Sequence, residues 1–227
     1  MSVNQNPKNT SMISINISNL IAQNKFEDLE MLLKRVTIPK SDIKTIFFQL
    51  LSKIDSINNY LNLIEQFLKN DLDPNISIVY KTGNVIIEEN QKITLLMFAI
   101  IRNDLNLVNL LLSSGANPDL EDSEGRNSMI YSVLYNQNDN PLLISSLINN
   151  NGNVNSKAKI KTGNNLIEEH SLFTLACSKG LKKVVMILLE EDSSVNLNFR
   201  STPSENTGLH YAILTENLEL VKTLLDA

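Results

Sequence analysis

The chain has 227 residues, 42% of them hydrophobic, so it is long enough to bury a large core. Only 5% of the residues are aromatic and none is tryptophan, which suits thin aliphatic layers better than one wide core. The formal net charge of -5 comes without blocks of like charge. Nonspecific nucleic-acid binding needs clustered Lys and Arg, so we expect no nucleic-acid partner.

Cysteine and histidine are too scattered for metal or disulfide chemistry. Cys177 is the only cysteine, which excludes a disulfide within the chain, and the two histidines show no zinc-ligand spacing. No run approaches the roughly 18 apolar residues of a membrane span, and the first dozen residues lack an apolar signal core. We therefore expect an intracellular, cytoplasmic protein that binds no cofactor, metal or membrane.

The N-terminal region predicts two helix pairs after a disordered lead at residues 1–13. The first pair consists of two short amphipathic runs broken at Asn24-Lys25. In the second pair, Ser41-Asp42 is a candidate N-cap for a helix that runs to Ile54. Tyr60–Leu68 supplies the second helix of that pair.

Next comes a predicted β-hairpin. The turn-forming sequence Lys81-Thr82-Gly83-Asn84 separates two β-rich segments, Ile76–Tyr80 and Val85–Ile87. The string KTGNVIIEEN at 81–90 recurs as KTGNNLIEEH at 161–170, an offset of 80 residues with seven identities in ten. We infer an internal duplication of a block that ends in an enlarged hairpin.

Thr94–Asp119 is the clearest unit in the chain. Its first apolar set fits one face of a short helix, and the polar break Arg102-Asn103-Asp104 ends that helix. A second apolar set, from Leu107 to Leu112, fits a second helix, and Gly115 stands where a C-terminal cap is needed. Two short helices are too thin to bury their own apolar faces, so such units are stable only when they are stacked.

This unit resembles an ankyrin repeat, whose pattern begins T-P-L-H-x-A and continues L-L-L-x-x-G-A-D. Related stretches begin at Asn127, at Ser171 and at Thr207. The small residues at the last position of the opening motif are Ala99, Ser132, Ala176 and Ala212, spaced by 33, 44 and 36 residues. A step of 33 residues is the ankyrin period.

The resemblance implies an all-α fold, an α-solenoid: an ankyrin-repeat stack of helix-turn-helix units with two protruding β-hairpins. The expected repeats span residues 14–40, 41–92, 93–125, 126–170, 171–205 and 206–227, the last of them incomplete. In the family, the Thr and His of the opening motif tie the first helix to neighbouring loops, and here Thr207 and His210 keep both residues. Asn103 and Asn136 replace the glycine between helices, because Asn also tolerates the left-handed region.

No catalytic constellation is visible, and we predict that the chain is not an enzyme. His210 occupies a structural motif position, and His170 follows a hairpin and is expected to be exposed. Cys177 is expected to be a buried, inert thiol. The acidic pairs Glu88-Glu89 and Glu168-Glu169 could indicate acid–base or metal chemistry, but adjacent side chains of an extended segment point to opposite faces. We interpret both pairs as solvated hairpin bases.

The resemblance implies a non-catalytic protein–protein interaction scaffold that binds an unidentified protein through its concave face and hairpin fingers. Exposed Tyr and Arg are the residue types enriched at binding hot spots. The candidate partner-binding residues are Tyr80, Lys81, Arg102, Glu121, Tyr135, Lys161, Lys179 and Thr215.

The alternative is a structural spacer or a fragment of a longer repeat array, because the chain stops before any G-A-D tail while its last helix is still apolar. Exposed aromatic or apolar residues on the concave side would favour binding, and a uniformly polar surface would favour the spacer.

Overall fold

A computed structural model describes residues 7–54, 60–79, 92–161, 166–191 and 194–226. The chain divides into two compact units, Met1–Glu88 and Glu89–Ala227.

The first unit contains two helix pairs and one short strand. Its elements are α1 (Pro7–Ala22), α2 (Phe26–Leu33), α3 (Ile43–Leu51), α4 (Tyr60–Lys69) and β1 (Ser77–Val79). Helix α1 packs against α2 and α3, and α2 packs against α4, so the two pairs lie side by side. Phe47 of α3 and Phe67 of α4 are fully buried, with ring centroids 5.4 Å apart. The two predicted helix pairs are thus confirmed.

Two details of the first unit differ from expectation. Residues 1–6 lie outside the described part of the chain, but residues 7–13 are helical and not a disordered lead, since α1 begins at Pro7. Proline suits the first turn of a helix, where its missing N–H costs nothing. Asp42 does precede α3, but its carboxylate accepts hydrogen bonds from the Ser14 and Ser41 hydroxyls, at 2.5 and 2.8 Å, and no side-chain cap bond forms.

The second unit contains four helix pairs and three strands. Its elements are β2 (Lys92–Thr94), α5 (Leu95–Ile101), α6 (Leu105–Ser113), α7 (Ser128–Leu134), α8 (Leu142–Ile148), β3 (Lys157–Lys161), β4 (Ile167–Ser171), α9 (Leu172–Ser178), α10 (Lys182–Glu191), α11 (Gly208–Leu214) and α12 (Leu218–Leu225). The first helices of the pairs, α5, α7, α9 and α11, contact one another in that order. The second helices follow in a parallel layer, from α6 and α8 to α10 and α12.

Three of the first helices, α5, α7 and α9, are buried on every side. Leu95–Ile100 in α5, Ser128–Val133 in α7 and Leu172–Cys177 in α9 are buried without interruption. A helix that is buried all round carries no polar face. Such helices cannot be stable alone, which is the structural reason for the stacking.

The start of α5 follows the expected capping scheme with a methionine in place of the motif histidine. Thr94 Oγ1 accepts from the Met97 N–H at 3.2 Å, and the Thr94 N–H donates to Met97 Sδ at 3.4 Å. In α11 the Thr207 N–H donates to His210 Nδ1 at 3.2 Å. Met97 therefore takes the place of the motif histidine.

The turns within pairs confirm one asparagine prediction and correct the other. Asn103 has φ 53, and Gly115, after α6, has φ 90. Asn136 does not adopt the left-handed region, which is occupied by Asn138 and Asp139 at φ 61 and 50. The α7–α8 turn is longer, so the chain reverses later, and Asn136 braces it through two 2.8 Å hydrogen bonds with the Asn140 backbone.

The second predicted hairpin is present as an antiparallel pair of strands. Lys157 of β3 lies opposite Ser171 of β4, and Lys161 lies opposite Ile167. Residues 162–165, which contain most of the turn, lie outside the described residues. So do residues 80–91, including the turn of the first predicted hairpin and its expected second strand, Val85–Ile87.

Candidate partner-binding surface

Four of the predicted binding residues occupy equivalent positions in successive repeats. Arg102, Tyr135, Lys179 and Thr215 are the C-cap residues of α5, α7, α9 and α11. Because these helices pack side by side in that order, the four residues form a line along one end of the first layer. All four are exposed. We call this line the C-cap row.

Two members of the row, Tyr135 and Arg102, each lie against an aromatic ring of their own helix. Tyr135 is 45% exposed, and its ring stacks on Tyr131 at a centroid distance of 5.5 Å and an interplanar angle of 19°. The Arg102 guanidinium lies 5.5 Å from the centre of the Phe98 ring. Both side chains thus have a preferred orientation before any partner arrives.

A partly buried ion pair fixes the tyrosine that supports Tyr135. The Tyr131 hydroxyl donates to Asp122 Oδ2 at 2.8 Å, and Arg126 Nε donates to the same oxygen at 2.8 Å. Burial by itself raises the pKa of Asp122, but hydrogen bonds from Arg126 and Tyr131 outweigh it and lower the pKa. Asp122 therefore stays ionised and anchors the loop before α7 to Tyr131.

Lys179 and Thr215 are partly committed to the fold. The Lys179 ammonium donates to the Leu134 carbonyl oxygen at 2.6 Å, which ties α9 to the end of α7. Burial lowers the pKa of Lys179. The Thr215 hydroxyl donates to the Ala212 carbonyl oxygen at 3.1 Å, within its own helix end.

The remaining candidates lie away from the row. Glu121 is exposed in the loop between α6 and α7, and Lys161 is exposed at the end of β3. Tyr80 and Lys81 lie outside the described residues.

Two expectations about the base of the second hairpin are wrong. Glu168 and His170 are buried, with only 8% and 3% of their surface exposed. His170 Nε2 lies 3.3 Å from Glu168 Oε2, and Nδ1 lies 3.3 Å from the Ser201 hydroxyl. Glu168 Oε1 also accepts hydrogen bonds from the hydroxyls of Ser204 and of Tyr211, the latter at 2.7 Å.

The exposure expected for Glu168 and His170 was wrong because the residues that cover them come from later in the chain. Alternation along β4 does place Glu168 and His170 on one face, as the sequence indicates. The loop before α11 and Tyr211 then close over that face, and their residues lie 31 to 43 positions further on. The Glu169 N–H also donates to the Thr202 carbonyl oxygen at 2.9 Å. The cluster joins β4 to the last repeat.

Burial and hydrogen bonds set the charge states in this cluster. Burial lowers the pKa of His170, although Glu168 acts in the opposite direction. Burial raises the pKa of Glu168, but hydrogen bonds from Ser204 and Tyr211 outweigh it and lower the pKa. The pair at neutral pH is a carboxylate beside a neutral imidazole, enclosed by hydroxyl groups, which is an arrangement for holding segments together.

The other candidate groups for chemistry have structural roles. His210 Nδ1 pairs with the Thr207 hydroxyl at 2.8 Å, as expected for the motif histidine. Cys177 is buried, and burial raises its pKa to about 12, so the thiol is inert as predicted. Within the part of the chain that the structure describes, no three His, Cys, Asp or Glu side chains are grouped to hold a metal ion.

Comparison with known families agrees with this geometry. Residues 91–123 match the ankyrin repeat, and residues 137–227 match a model of ankyrin repeats in three copies. Together the two ranges cover more than half of the chain. The chain belongs to the ankyrin repeat family. No curated protein sequence matches it.

The matched ranges contain the helix pairs α5–α6, α9–α10 and α11–α12 and helix α8, and α7 lies between the two ranges. Six helix pairs occur among the described residues of the whole chain. Ankyrin repeats generally mediate protein–protein interaction, and proteins built from them are typically non-catalytic. None of the described helices is long and apolar enough to cross a membrane.

Proposed function

We propose that this ankyrin repeat protein is a non-catalytic scaffold that binds a partner protein through the face carrying the C-cap row. The observation that carries the proposal is the exposed, stacked Tyr135 in line with Arg102 and Lys179. In ankyrin-like stacks the fingers and the first helices form a concave surface. We infer that a partner lies along this row and contacts several repeats at once.

The physical support is pre-organisation. Tyr and Arg dominate binding hot spots because they bury a large area and also form polar contacts. A side chain that already has one orientation loses less entropy when it binds. Tyr135 rests on Tyr131, which Asp122 holds, so the row presents a fixed aromatic surface. A spacer that binds no partner would not need an exposed aromatic side chain in a fixed orientation.

The test is affinity capture from native cell extract with the wild-type chain and two triple variants. The row variant carries Arg102→Ala, Tyr135→Ala and Lys179→Ala. The control variant carries Asn109→Ala, Lys183→Ala and Met186→Ala, which are exposed positions on α6 and α10. We expect quantitative mass spectrometry to find proteins captured by the wild type and by the control, and lost about tenfold or more with the row variant.

Equal capture by all three proteins, with circular dichroism showing intact folds, would mean that the row is not the binding surface. If the wild type captures nothing above background, the alternative role, a spacer within a longer repeat array, is favoured instead.

A further inference from the structure

The hydrogen-bond pattern of the second hairpin shows which edge of it is open. The Glu169 N–H donates to the Thr202 carbonyl oxygen at 2.9 Å, and Glu169 O accepts from the Thr202 N–H at 3.3 Å. Glu169 thus turns its backbone groups away from β3. Hydrogen-bonded and non-hydrogen-bonded pairs alternate in an antiparallel ladder, so Glu169 and its partner Lys159 form a non-hydrogen-bonded pair.

The same alternation sets the direction of the neighbouring residues. The Leu172 N–H donates to the Ser156 carbonyl oxygen at 2.8 Å, which agrees with hydrogen-bonded pairing at every second position. Lys157, Lys159 and Lys161 therefore all point their backbone N–H and C=O groups away from β4. In the described ranges, β4 is the only strand paired with β3. Among the described residues, no backbone group outside β4 is hydrogen-bonded to β3 along this outer edge.

The side chains along this edge have a distinct chemistry. Lys157, Lys159 and Lys161 are exposed and, at every second position, lie on one face of the hairpin. Ile167, opposite Lys161, is 63% exposed on the same face. The Lys157 ammonium lies 4.7 Å from the centre of the Phe199 ring, which holds it at this face. Within β3 and β4 as the structure describes them, Glu169 is the one residue of opposite charge on this face.

We propose that the outer edge of β3 binds an extended, acidic segment of a partner protein by strand addition. This inference rests on the proposed interaction function and names the chemistry of a second contact, separate from the C-cap row. Main-chain hydrogen bonds to an open edge provide affinity, and alternate side chains provide specificity. A segment with acidic residues at every second position would place its carboxylates opposite the three lysines.

The competing explanation is that the lysines protect the edge. Charged residues, especially lysine, on an edge strand discourage pairing with other chains. That explanation predicts no binding of any peptide, whereas strand addition predicts selective binding of an acidic one.

The first measurement uses two labelled peptides. Fluorescence anisotropy is recorded for Glu-Thr-Glu-Thr-Glu-Thr-Glu and for the matching Lys-Thr peptide, with the full chain. We expect the acidic peptide alone to bind and its affinity to fall as salt rises, because exposed charges are screened. Failure of the acidic peptide to bind would overturn the proposal. This result would not bear on the proposed function of the C-cap row, because that row is tested by its own variants.

The second measurement separates backbone pairing from charge. Lys159→Pro and Lys159→Thr remove the same charge, but only proline removes the outward N–H, and it leaves the bonds to β4 in place. We expect Lys159→Thr to weaken binding about two- to fivefold. Lys159→Pro should weaken it about fivefold further, the value of one main-chain hydrogen bond. The control Lys25→Thr, in the first unit, should bind as the wild type does.

Equal binding by Lys159→Pro and Lys159→Thr would reduce the contact to charge alone and contradict strand addition. A peptide-side test covers the case in which the proline variant misfolds. N-methylation of the Glu amides or of the Thr amides blocks opposite edges of the peptide. Strand addition requires that N-methylation of one set of amides abolishes binding and that N-methylation of the other set is tolerated. Equal effects of the two modifications would refute it.

Discussion

At the residue scale, short polar side chains organise the loops of the second unit. Asn117, Asn153 and Asn196 each accept a hydrogen bond from the N–H two residues later, at 2.9, 2.9 and 3.2 Å. Successive loops are also tied together, since the Asn196 N–H donates to Asn155 Oδ1 at 2.9 Å. Asparagine suits this work because its side chain imitates a backbone turn. The same hydrogen bond therefore recurs in successive loops, although these residues are neither helical nor in a strand.

The buried pair of Glu168 and His170 predicts a pH dependence of stability. The pKa of His170 is lowered in the folded state, so the unfolded chain binds the proton more readily. Stability is then lost as pH falls through the ordinary histidine value of 6.5. The pKa of Glu168 is also lowered, so its contribution is present above 4.5 and is lost as pH falls below that value.

Urea unfolding at pH 7.5, 5.5 and 4.0 tests this. We expect the wild type to lose stability between pH 7.5 and 5.5, and His170→Gln to lose less over that interval. The matched control is His210→Gln, because His210 is exposed, and its pH profile should follow the wild type. If His170→Gln and the wild type have parallel profiles, the imidazole does not titrate as we infer.

The roles of single residues were predictable where their partners are local. His210 and Thr207 are three positions apart, and both were assigned from the motif. Glu168 and His170 were misjudged because the sequence shows which face of a strand a residue occupies but not what covers that face. The covering residues, Ser201 and Tyr211, belong to the next repeat. Burial of a polar cluster depends on such distant contacts.

At the element scale, the second helices carry the apolar contacts between layers. Leu111 of α6 and Leu188 of α10 are fully buried, as expected from their spacing. We expect Leu111→Ala or Leu188→Ala to lower the free energy of unfolding by about 2–5 kcal/mol, because each removes buried methyl groups and leaves a cavity. Leu218→Ala is the control, since Leu218 of α12 is 73% exposed. If chemical denaturation gave all three variants a free energy of unfolding near the wild-type value, Leu111 and Leu188 would not be core residues.

Helix α10 has an N-terminal cap that comes from the preceding repeat. Asp139 Oδ2 and Oδ1 accept from the backbone N–H groups of Lys183 and Val184 at 2.7 and 3.1 Å. This cap was not predictable from a local pattern, because the capping residue lies 44 positions before the helix residue it serves. The cap links two repeats and also satisfies N–H groups at the start of α10.

Asp139→Gly removes this cap without backbone strain, since φ at this position is 50 and glycine accepts positive φ. We expect a loss of about 1 kcal/mol in the free energy of unfolding, typical of a lost cap. Asp139→Asn retains a side-chain oxygen and should lose less. Equal stability of the glycine variant and the wild type, measured by thermal and urea unfolding, would show that the inter-repeat cap contributes nothing.

At the scale of the whole molecule, the repeat period and the helix pairs were the most predictable features. Apolar spacing along Thr94–Asp119 indicated two helices and a cap at Gly115, and all three are present. The C-cap row follows from the same regularity, since equivalent positions of stacked repeats must line up. The residues that hold Tyr131 beneath Tyr135 were not predictable from the repeat pattern, because Asp122 and Arg126 belong to a loop.

The proposed function requires that partners contact the C-cap row. The most direct measurement places a photo-crosslinking phenylalanine analogue at Tyr135 in one protein and at Met186, exposed on α10, in another. After irradiation in native extract, we predict that the Tyr135 position forms a discrete covalent adduct with a partner protein and that the Met186 position does not. Adducts of the same kind and yield from both positions, or from Met186 alone, would contradict the claim.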